Sequence, residues 1–305
     1  MTLNRPKLKA TLGYVAFGIA AFVLGLYLTF PYAQLKSYLI AQADAQGLQL
    51  RIATLGPGLF GVTAYAVRIA PAPKDDKTPE ALQVDSVSLR PSLLPLGVAA
   101  RGKAMGGTFH ATVGGLSALV LRADFSDLDP SKGNFKGATG IAAKGSASGA
   151  VTFDIPKTAA VKGQPRTPNL AEADGEVSLD LAGFSIEGGQ ITVPLYGTPT
   201  PVDLPKIVFG NLGAELTFQK GSGKLAKLSA KSDDLELNGS GTLRLAKRLP
   251  FSEMNLTLKL KADPAFVTRL GLLGSGLSML PKDPTSPGFR VAHLTGFLGT
   301  PTLAR

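Results

Sequence analysis

The hydrophobic pattern of the chain changes character near residue 47. Before this point apolar residues form one continuous run and then recur at helical spacing, whereas afterwards they alternate with polar residues. The run from Leu12 to Phe30 has 19 residues and no charge. As a helix it would span roughly 28 Å, close to the hydrocarbon thickness of a bilayer. The pattern predicts one N-terminal transmembrane helix followed by a β-rich body.

The predicted membrane anchor covers residues 12–30 and follows a basic stub at residues 1–11. Six apolar or aromatic residues along this segment are predicted to form the membrane anchor: Leu12, Phe17, Phe22, Leu24, Tyr27 and Phe30. Arg5, Lys7 and Lys9 precede the run, so the positive-inside rule predicts a cytoplasmic N-terminus and export of the rest. A cleaved signal peptide, the alternative, has an apolar region of about 7–15 residues and an A-x-A-like site. The sequence after Phe30 begins with proline and does not match that site.

A second helix is predicted directly after the anchor, over residues 32–46. Leu35, Leu39 and Ala43 recur at a spacing of one helical turn, and Gly47 is a typical helix stop. From residue 48 to residue 305 the period is two. The clearest example is Met254–Ala262, where leucines at every second position alternate with threonine and lysine.

Alternation of this kind is typical of an antiparallel sheet with one covered face and one wet face. The fold class is therefore predicted as mainly β, largely antiparallel, with a few short helices. The candidate apolar face consists of Leu235, Leu237, Leu243, Leu245, Leu256, Leu258 and Leu260. A basic, proline-containing segment at residues 156–170 is the best candidate for an internal boundary, and Asp263-Pro264 is expected to start a short helix.

Composition narrows the chemistry that the chain can perform. The absence of cysteine excludes disulfides, iron–sulfur clusters and thiolate metal sites. Thirty-six glycines and no tryptophan favour many short strands and turns. The net charge is +10, but the cations are scattered along the sequence, so no nucleic-acid partner is predicted.

The sequence contains no convincing motif for catalysis, cofactor binding or metal binding. The two histidines, His110 and His293, lie in predicted strands and are expected to be partly buried structural residues. Asp127 and Asp129 resemble the opening of a calcium loop, but the glycine and the final glutamate of that loop are missing, which favours a turn or a cap. The glycine-rich stretch at residues 137–149 lacks the Lys-Ser/Thr of a phosphate loop. We therefore predict no catalytic residue, no cofactor and no metal.

Four passages resemble the type II secretion system protein N family. They are LQLRIATLGPGLFGVTAYAVRIAP at residues 48–71, VDSVSLRPSLLPLGVAARGKAMGGTFHATVGG at residues 84–115, LAKLSAKSDDLELNGSGTLRLAKRLPFSEMNLTLKLK at residues 225–261, and LTGFLGTPTLAR at residues 294–305. The last is similar to the ending of the larger AsmA-like proteins. The resemblance covers nearly the whole chain but rests on β-sheet patterns, and residues 125–170 match least.

The resemblance implies a single-pass protein of the inner membrane of a Gram-negative bacterium, with its bulk in the periplasm. Two functions are then open. The first is a non-enzymatic subunit that docks to other components of type II secretion. The second is an AsmA-like groove, in which a long, curved, open sheet holds phospholipid on its apolar face. The expected partners are the lipid bilayer, secretion components and phospholipid.

Overall fold

A computed structural model describes residues 17, 18, 21, 25, 29–45, 47–58, 60–71, 80–158, 166–195 and 198–304. Most of the predicted anchor and the topology-setting cations lie outside the described residues: Arg5, Lys7, Lys9, Leu12, Phe22, Leu24 and Tyr27. Phe17 is helical and 74% exposed, and the ring of Phe30 packs 4.9 Å from that of Tyr32. Among the described residues, no helix combines the length and apolarity needed to cross a membrane.

The first continuous helix, α1, covers Tyr32–Ala45, compared with the predicted 32–46. It packs against the first strand, β1 (Leu48–Gly58), where Leu39 contacts the cluster around the buried Ile52. The ammonium of Lys36 donates to the carbonyl of Ala53 at 3.2 Å. Because Ala53 lies on β1, the helix occupies part of the outer edge of that strand.

One antiparallel sheet contains all fifteen strands that the structure describes. After β1 they are β2 Gly61–Pro71, β3 Leu82–Leu93, β4 Leu96–Ala104, β5 Gly107–Gly114, β6 Ala118–Leu128, β7 Ile141–Pro156, β8 Asp174–Leu195, β9 Thr198–Leu204, β10 Ile207–Gln219, β11 Ser222–Lys231, β12 Leu235–Arg244, β13 Glu253–Ala262, β14 Arg290–Phe297 and β15 Thr300–Ala304. Each strand pairs with its neighbours in sequence, except that β8 pairs with both β9 and β10. The strand order is linear from β1 to β15, so the prediction of a mainly β, antiparallel, open sheet is confirmed.

The segment predicted as a boundary, residues 156–170, does not divide the sheet. The strands on its two sides, β7 and β8, pair directly from Ile141↔Gly189 to Asp154↔Asp174. The segment is thus a connection within one sheet. A smaller interruption separates β9 from β10, which both lie along β8, and Pro205 between them lacks the N–H that a continuous ladder needs.

The short helices lie at strand connections. They are α2 Phe135–Thr139, α3 Pro264–Arg269 and α4 Leu272–Ser278. As predicted, Asp263 caps α3 by accepting a hydrogen bond from the N–H of Ala265 at 2.8 Å. Phe266 is buried, which fixes α3 against the rest of the molecule.

Two buried carboxylates fasten the connection from β13 to β14 to the sheet. Asp234 accepts from the N–H of Val208 at 3.0 Å and pairs with Arg269 of α3. The Asp283 side chain is 3% exposed and forms an ion pair with Lys259 of β13 at 2.7 Å. It also accepts from the N–H and the hydroxyl of Thr285. Lys259 first, and Thr285 second, hold the pKa of Asp283 well below its usual range.

Replacing Asp283 by asparagine should reduce the acid sensitivity of the protein. A carboxylate with a depressed pKa in the folded state stabilises it above the unfolded value, near 4, and this contribution is lost as the pH falls below that value. Thermal unfolding followed by circular dichroism should show Asp283→Asn melting lower than the wild type at pH 7. The difference should shrink between about pH 4 and pH 2.

The partner variant Lys259→Gln serves as a second measurement of the same ion pair. It should also lower the melting temperature at pH 7 and weaken the dependence on acid, because Lys259 is the main cause of the depressed pKa. If the melting temperatures of Asp283→Asn and the wild type fall in parallel as the pH is lowered from about 4 to about 2, the stabilising role assigned to the Asp283 carboxylate is wrong.

Candidate functional site

The sheet separates into two chemically different faces. Directly paired residues of antiparallel strands project from the same side, so the pairing register traces rows of side chains across the sheet. One row crosses fourteen strand positions: Pro57, Val62, Leu89, Ala100, Ala111, Ala123, Val151, Val177, Leu216, Leu225, Gly241, Leu256, Leu294 and Leu303. Every residue in it is apolar or glycine. We call it the central row.

A second row lies beside the central row on the same face. It runs from β3 to β15 through Pro91, Val98, Val113, Leu121, Phe153, Gly175, Phe218, Gly223, Leu243, Met254, Gly296 and Pro301. It too contains only apolar residues and glycine. We call it the outer row, and the surface formed by both rows the apolar face.

The row on the opposite side of the same strands is polar. It consists of Arg90, Ala99, Thr112, Arg122, Thr152, Glu176, Thr217, Lys224, Thr242, Asn255, Thr295 and Thr302. Ala99 is its single apolar member. The polar face is suited to water, whereas the apolar face needs a cover.

Protein covers the apolar face only in part. Eleven of the fourteen residues of the central row are half-buried, Leu225 is buried, and Pro57 and Leu303 at the two sheet edges are exposed. The described part of the chain buries seventeen hydrophobic residues, and seven of these are alanines. A packed core would bury the larger side chains. The central row therefore lacks the burial of a closed core.

Two clusters show where protein does cover the face. One contains Ile52, Val67 and Val84 and includes Leu39 of α1. The other contains Ile155, Phe218 and Leu245, and Leu170 from the connection between β7 and β8 packs on it. Helix α2 contacts β3 and β7, but among the described helices none makes extensive contact with β11–β15. In this half of the face Leu225, Ala230 and Leu235 are buried. Its open part is formed by six half-buried leucines: Leu237, Leu243, Leu256, Leu258, Leu260 and Leu294.

The phenylalanines of the apolar face lie over glycines of neighbouring strands. A Cβ added to Gly102 would come within 2.4 Å of the ring of Phe109, and one on Gly149 within 2.8 Å of the ring of Phe125. The same relation holds between Phe153 and Gly175 and between Phe218 and Gly223, at 2.5 and 2.4 Å. Each ring therefore lies on the backbone of its neighbour. These rings lie flat against the sheet and do not project from the apolar face, as rings perpendicular to the sheet would.

The structure places most of the seven predicted leucines on the apolar face. Leu237 pairs directly with Leu260, and Leu256 lies in the central row and Leu243 in the outer row. Leu258 lies opposite Gly239, whose position is covered by the side chain of Leu228. Leu237 and Leu243 lie on one strand, β12, and Gly239 and Gly241 continue the same face between them.

Two of the seven leucines do not belong to the open part of the face. Leu235 and Leu245 are each 5% exposed. Leu245 lies past the end of β12 and packs in the cluster with Phe218, under the connection to β13. Leu235 lies at the other end of β12, beside Asp234 and the segment that this residue fastens. Alternation alone does not distinguish an open position from one covered by a connection.

The structure keeps the two histidines apart. His110 is on β5 and His293 on β14, far apart in the strand order. Both rings lie on the polar side of the sheet. His110 is half-buried, as expected, whereas His293 is exposed. His110 Nδ1 is 3.3 Å from Asp124, and His293 Nδ1 is 3.1 Å from the hydroxyl of Thr257. Within the described ranges, no three His, Asp or Glu side chains are grouped as a metal site would require.

Asp129 has a local structural role of the kind predicted. It accepts from the N–H and the hydroxyl of Ser131 at 2.9 and 2.7 Å, which caps a single 3₁₀ turn at Pro130–Lys132. The Ser131 hydroxyl is the main reason that the pKa of Asp129 is lowered. Asp127 accepts from the hydroxyl of Ser146 at 3.3 Å.

Comparison with protein-family models, with curated proteins and with solved structures gives no match for this chain. The resemblance to the type II secretion protein N family therefore stays a prediction. The apolar face is the feature of the structure that a functional proposal has to explain.

Adding a methyl group at Gly149 should disturb the floor of the apolar face. In Gly149→Ala the new Cβ would meet the ring of Phe125 and the carbonyl of Ser178, which lies at 2.5 Å. Overpacking of this kind typically costs about 1–3 kcal/mol. Urea unfolding followed by circular dichroism should show this loss in the free energy of unfolding.

Gly56→Ala is the matched control, since it adds the same methyl group in strand β1 where nothing lies within 4 Å. It should be neutral or stabilise by up to about 1 kcal/mol, because alanine restricts the unfolded chain. Equal effects of the two substitutions would contradict the role assigned to the glycine–phenylalanine pairs.

Proposed function

We propose that this protein is a non-enzymatic, single-pass inner-membrane protein whose periplasmic sheet binds phospholipid acyl chains along its apolar face. The observation that carries the proposal is the central row, which stays apolar over fourteen strand positions. Soluble proteins rarely expose a contiguous apolar patch larger than a few hundred Å². Strands are about 4.8 Å apart, so a row of this length extends roughly 60 Å along the sheet.

Acyl chains are a suitable cover for such a surface. Their burial is favourable by about 0.8 kcal/mol per methylene and needs no directional partner. The apolar face offers aliphatic side chains and flat rings, and hydrogen-bonding side chains lie on the opposite side. A long apolar surface that extends across many strands suits flexible chains better than a compact, rigid substrate.

Curvature of the sheet is part of the proposal. The connection from β6 to β7 reaches back to the start of β3, where the carbonyl of Gly133 accepts from the N–H of Gln83 at 3.1 Å. The side-chain amide of Asn134 donates to the carbonyl of Ala81 at 3.2 Å. Strands β3 and β7 are four positions apart in the strand order of the sheet. A sheet that bends around its apolar face would shorten this distance and explain why the central row is half-buried rather than exposed.

The membrane anchor is proposed from the sequence. Residues 12–30 are uncharged, and the basic residues precede them. Helix α1 leads from this segment to β1 and packs against it, which would place the first strand close to the bilayer.

Docking to components of type II secretion is a second candidate, and the free edge of the sheet favours it. Among the described residues, β15 pairs with β14 on one side and with no strand on the other. The opposite edge differs, since α1 packs along β1. An unpaired edge can accept a strand from a partner protein.

Crosslinking can test the acyl-chain proposal in the full-length protein. A photoreactive benzoylphenylalanine in place of Leu258 should form adducts with labelled phospholipid, because this side chain lies on the open part of the apolar face. The same group in place of Ser240 is the matched control. Ser240 lies on the adjacent strand and pairs with Thr257 of the polar face. It should give few or no adducts.

A closed core would give a different result at the same position. Leu258→Ala would then cost about 2–5 kcal/mol in the free energy of unfolding, and the crosslinker would attach to protein. That combination would exclude the groove and leave the docking subunit.

Cysteine labelling tests the proposed topology, and the absence of native cysteine makes single labels specific. Ala41→Cys, exposed on α1, should react in intact cells with a maleimide that enters only the periplasm. Asn4→Cys should react only after the inner membrane is opened. Leu24→Arg should reduce membrane retention, since a central arginine costs about 2.5–3.5 kcal/mol on insertion scales. A mature N-terminus near Ala33 in soluble periplasm would contradict the anchor.

A further inference from the structure

The turns of three hairpins, β1–β2, β3–β4 and β5–β6, carry exposed apolar side chains. Phe60 in the turn after β1 is 77% exposed, Leu93 and Leu94 at the turn after β3 are 82% and 93% exposed, and Leu116 in the turn after β5 is 78% exposed. In an antiparallel meander alternate turns lie at the same end of the sheet, so the three turns are neighbours. We call these four residues the tip patch.

We propose that the tip patch inserts into the surface of a phospholipid bilayer with anionic headgroups, and that it is the entrance through which lipid reaches the apolar face. This inference rests on the acyl-chain function proposed above. It adds a membrane contact formed by the sheet itself, separate from the predicted anchor at residues 12–30.

The shape of the patch favours a bilayer over a protein partner. Its side chains project from three separate turns, and Leu94 is almost fully exposed. A protein partner would need a matching cavity for each turn, whereas the fluid interior of a bilayer adapts to projecting side chains. Burial of large apolar side chains in the hydrocarbon region is favourable and needs no directional partner.

The charges around the patch are complementary to anionic headgroups. Residues 55–64, 90–98 and 111–120, which form the three turns and their flanking strand ends, contain Arg90 but no Asp or Glu. Lys157 reaches the third turn, where its ammonium donates to the carbonyls of Gly115 and Leu116 at 2.9 and 3.1 Å. The acidic residue closest in register is Asp154, which lies opposite Val120 on β7. Cations beside apolar tips suit the level of lipid phosphates.

The patch is continuous with the apolar face. Val98 and Val113 pair directly, are 52% and 41% exposed, and belong to the outer row. Leu96, which is 58% exposed, pairs with Leu93 and links them to the patch. An acyl chain that leaves the bilayer between the tips would therefore meet apolar side chains along its path into the face.

A fluorescent label at Leu94 tests the insertion directly. Full-length Leu94→Cys, labelled with an environment-sensitive dye and held in a nanodisc by its anchor, is mixed with vesicles of phosphatidylcholine and phosphatidylglycerol. The dye should shift to shorter wavelength and be quenched by brominated acyl chains in the added vesicles. Phosphatidylcholine alone should give a weaker response, because the charge contribution is missing.

The matched control is Ser222→Cys with the same dye. Ser222 is exposed beside the turn between β10 and β11, at the same end of the sheet, with polar neighbours Lys220 and Lys224. Its label should not respond to the vesicles. Equal responses at Leu94 and Ser222, or no response at Leu94, would overturn the inference.

A double substitution separates this inference from the function on which it rests. Leu93→Ser with Leu94→Ser should leave folding intact, since both side chains are exposed, and reduce co-flotation of protein nanodiscs with vesicles roughly tenfold or more. Lipid adducts at Leu258 formed in detergent should persist. Unchanged co-flotation would overturn the tip patch alone, whereas loss of the Leu258 adducts in the wild type would overturn the acyl-chain function.

Discussion

The structure depends on the pairing register of its antiparallel strands. Side chains alternate with a period of two, so a slip of one residue between any two strands would move an apolar row to the polar side. The central row nevertheless passes from Pro57 to Leu303 through thirteen strand pairs without a polar residue. Register irregularities do occur, as between Glu215 and Leu216, yet Leu216 still pairs with Leu225. The chain therefore keeps its register where the apolar face requires it.

The same register explains how far the sequence could be interpreted. The alternation in Met254–Ala262 is local, so β13 and the chemistry of its two faces were predicted correctly. The sequence does not show that Leu237 and Leu243 share one strand, because Gly239 and Gly241 between them have no side chain to mark the face. The glycine–phenylalanine pairs could not be predicted, since Phe125 and Gly149 meet only through the pairing of β6 with β7. The alternation pattern does not delimit β15, because this strand is short and contains Pro301.

The candidate site was harder to predict than the fold. Sequence patterns placed Leu256, Leu258 and Leu260 on one face, but they could not distinguish these residues from Leu245, which a connection covers. Likewise, the sequence does not distinguish Phe60 and Leu94 from other apolar residues near turns. Their exposure depends on the absence of neighbouring chain at the ends of the hairpins, and this information is not local to either residue.

A long sheet with a thin core has to obtain its stability from several small contributions. No disulfide is available, seven of the seventeen buried hydrophobic residues in the described part of the chain are alanines, and the rings lie on glycine backbone in place of a second layer. Backbone pairing and these ring contacts hold the sheet together, while the open part of the apolar face contributes little until something covers it. A ligand that binds only the folded sheet stabilises it by mass action, in proportion to the logarithm of its concentration. If acyl chains are that ligand, the stability of the sheet and its occupancy by lipid are the same equilibrium, and a membrane contact at the tip patch would supply both.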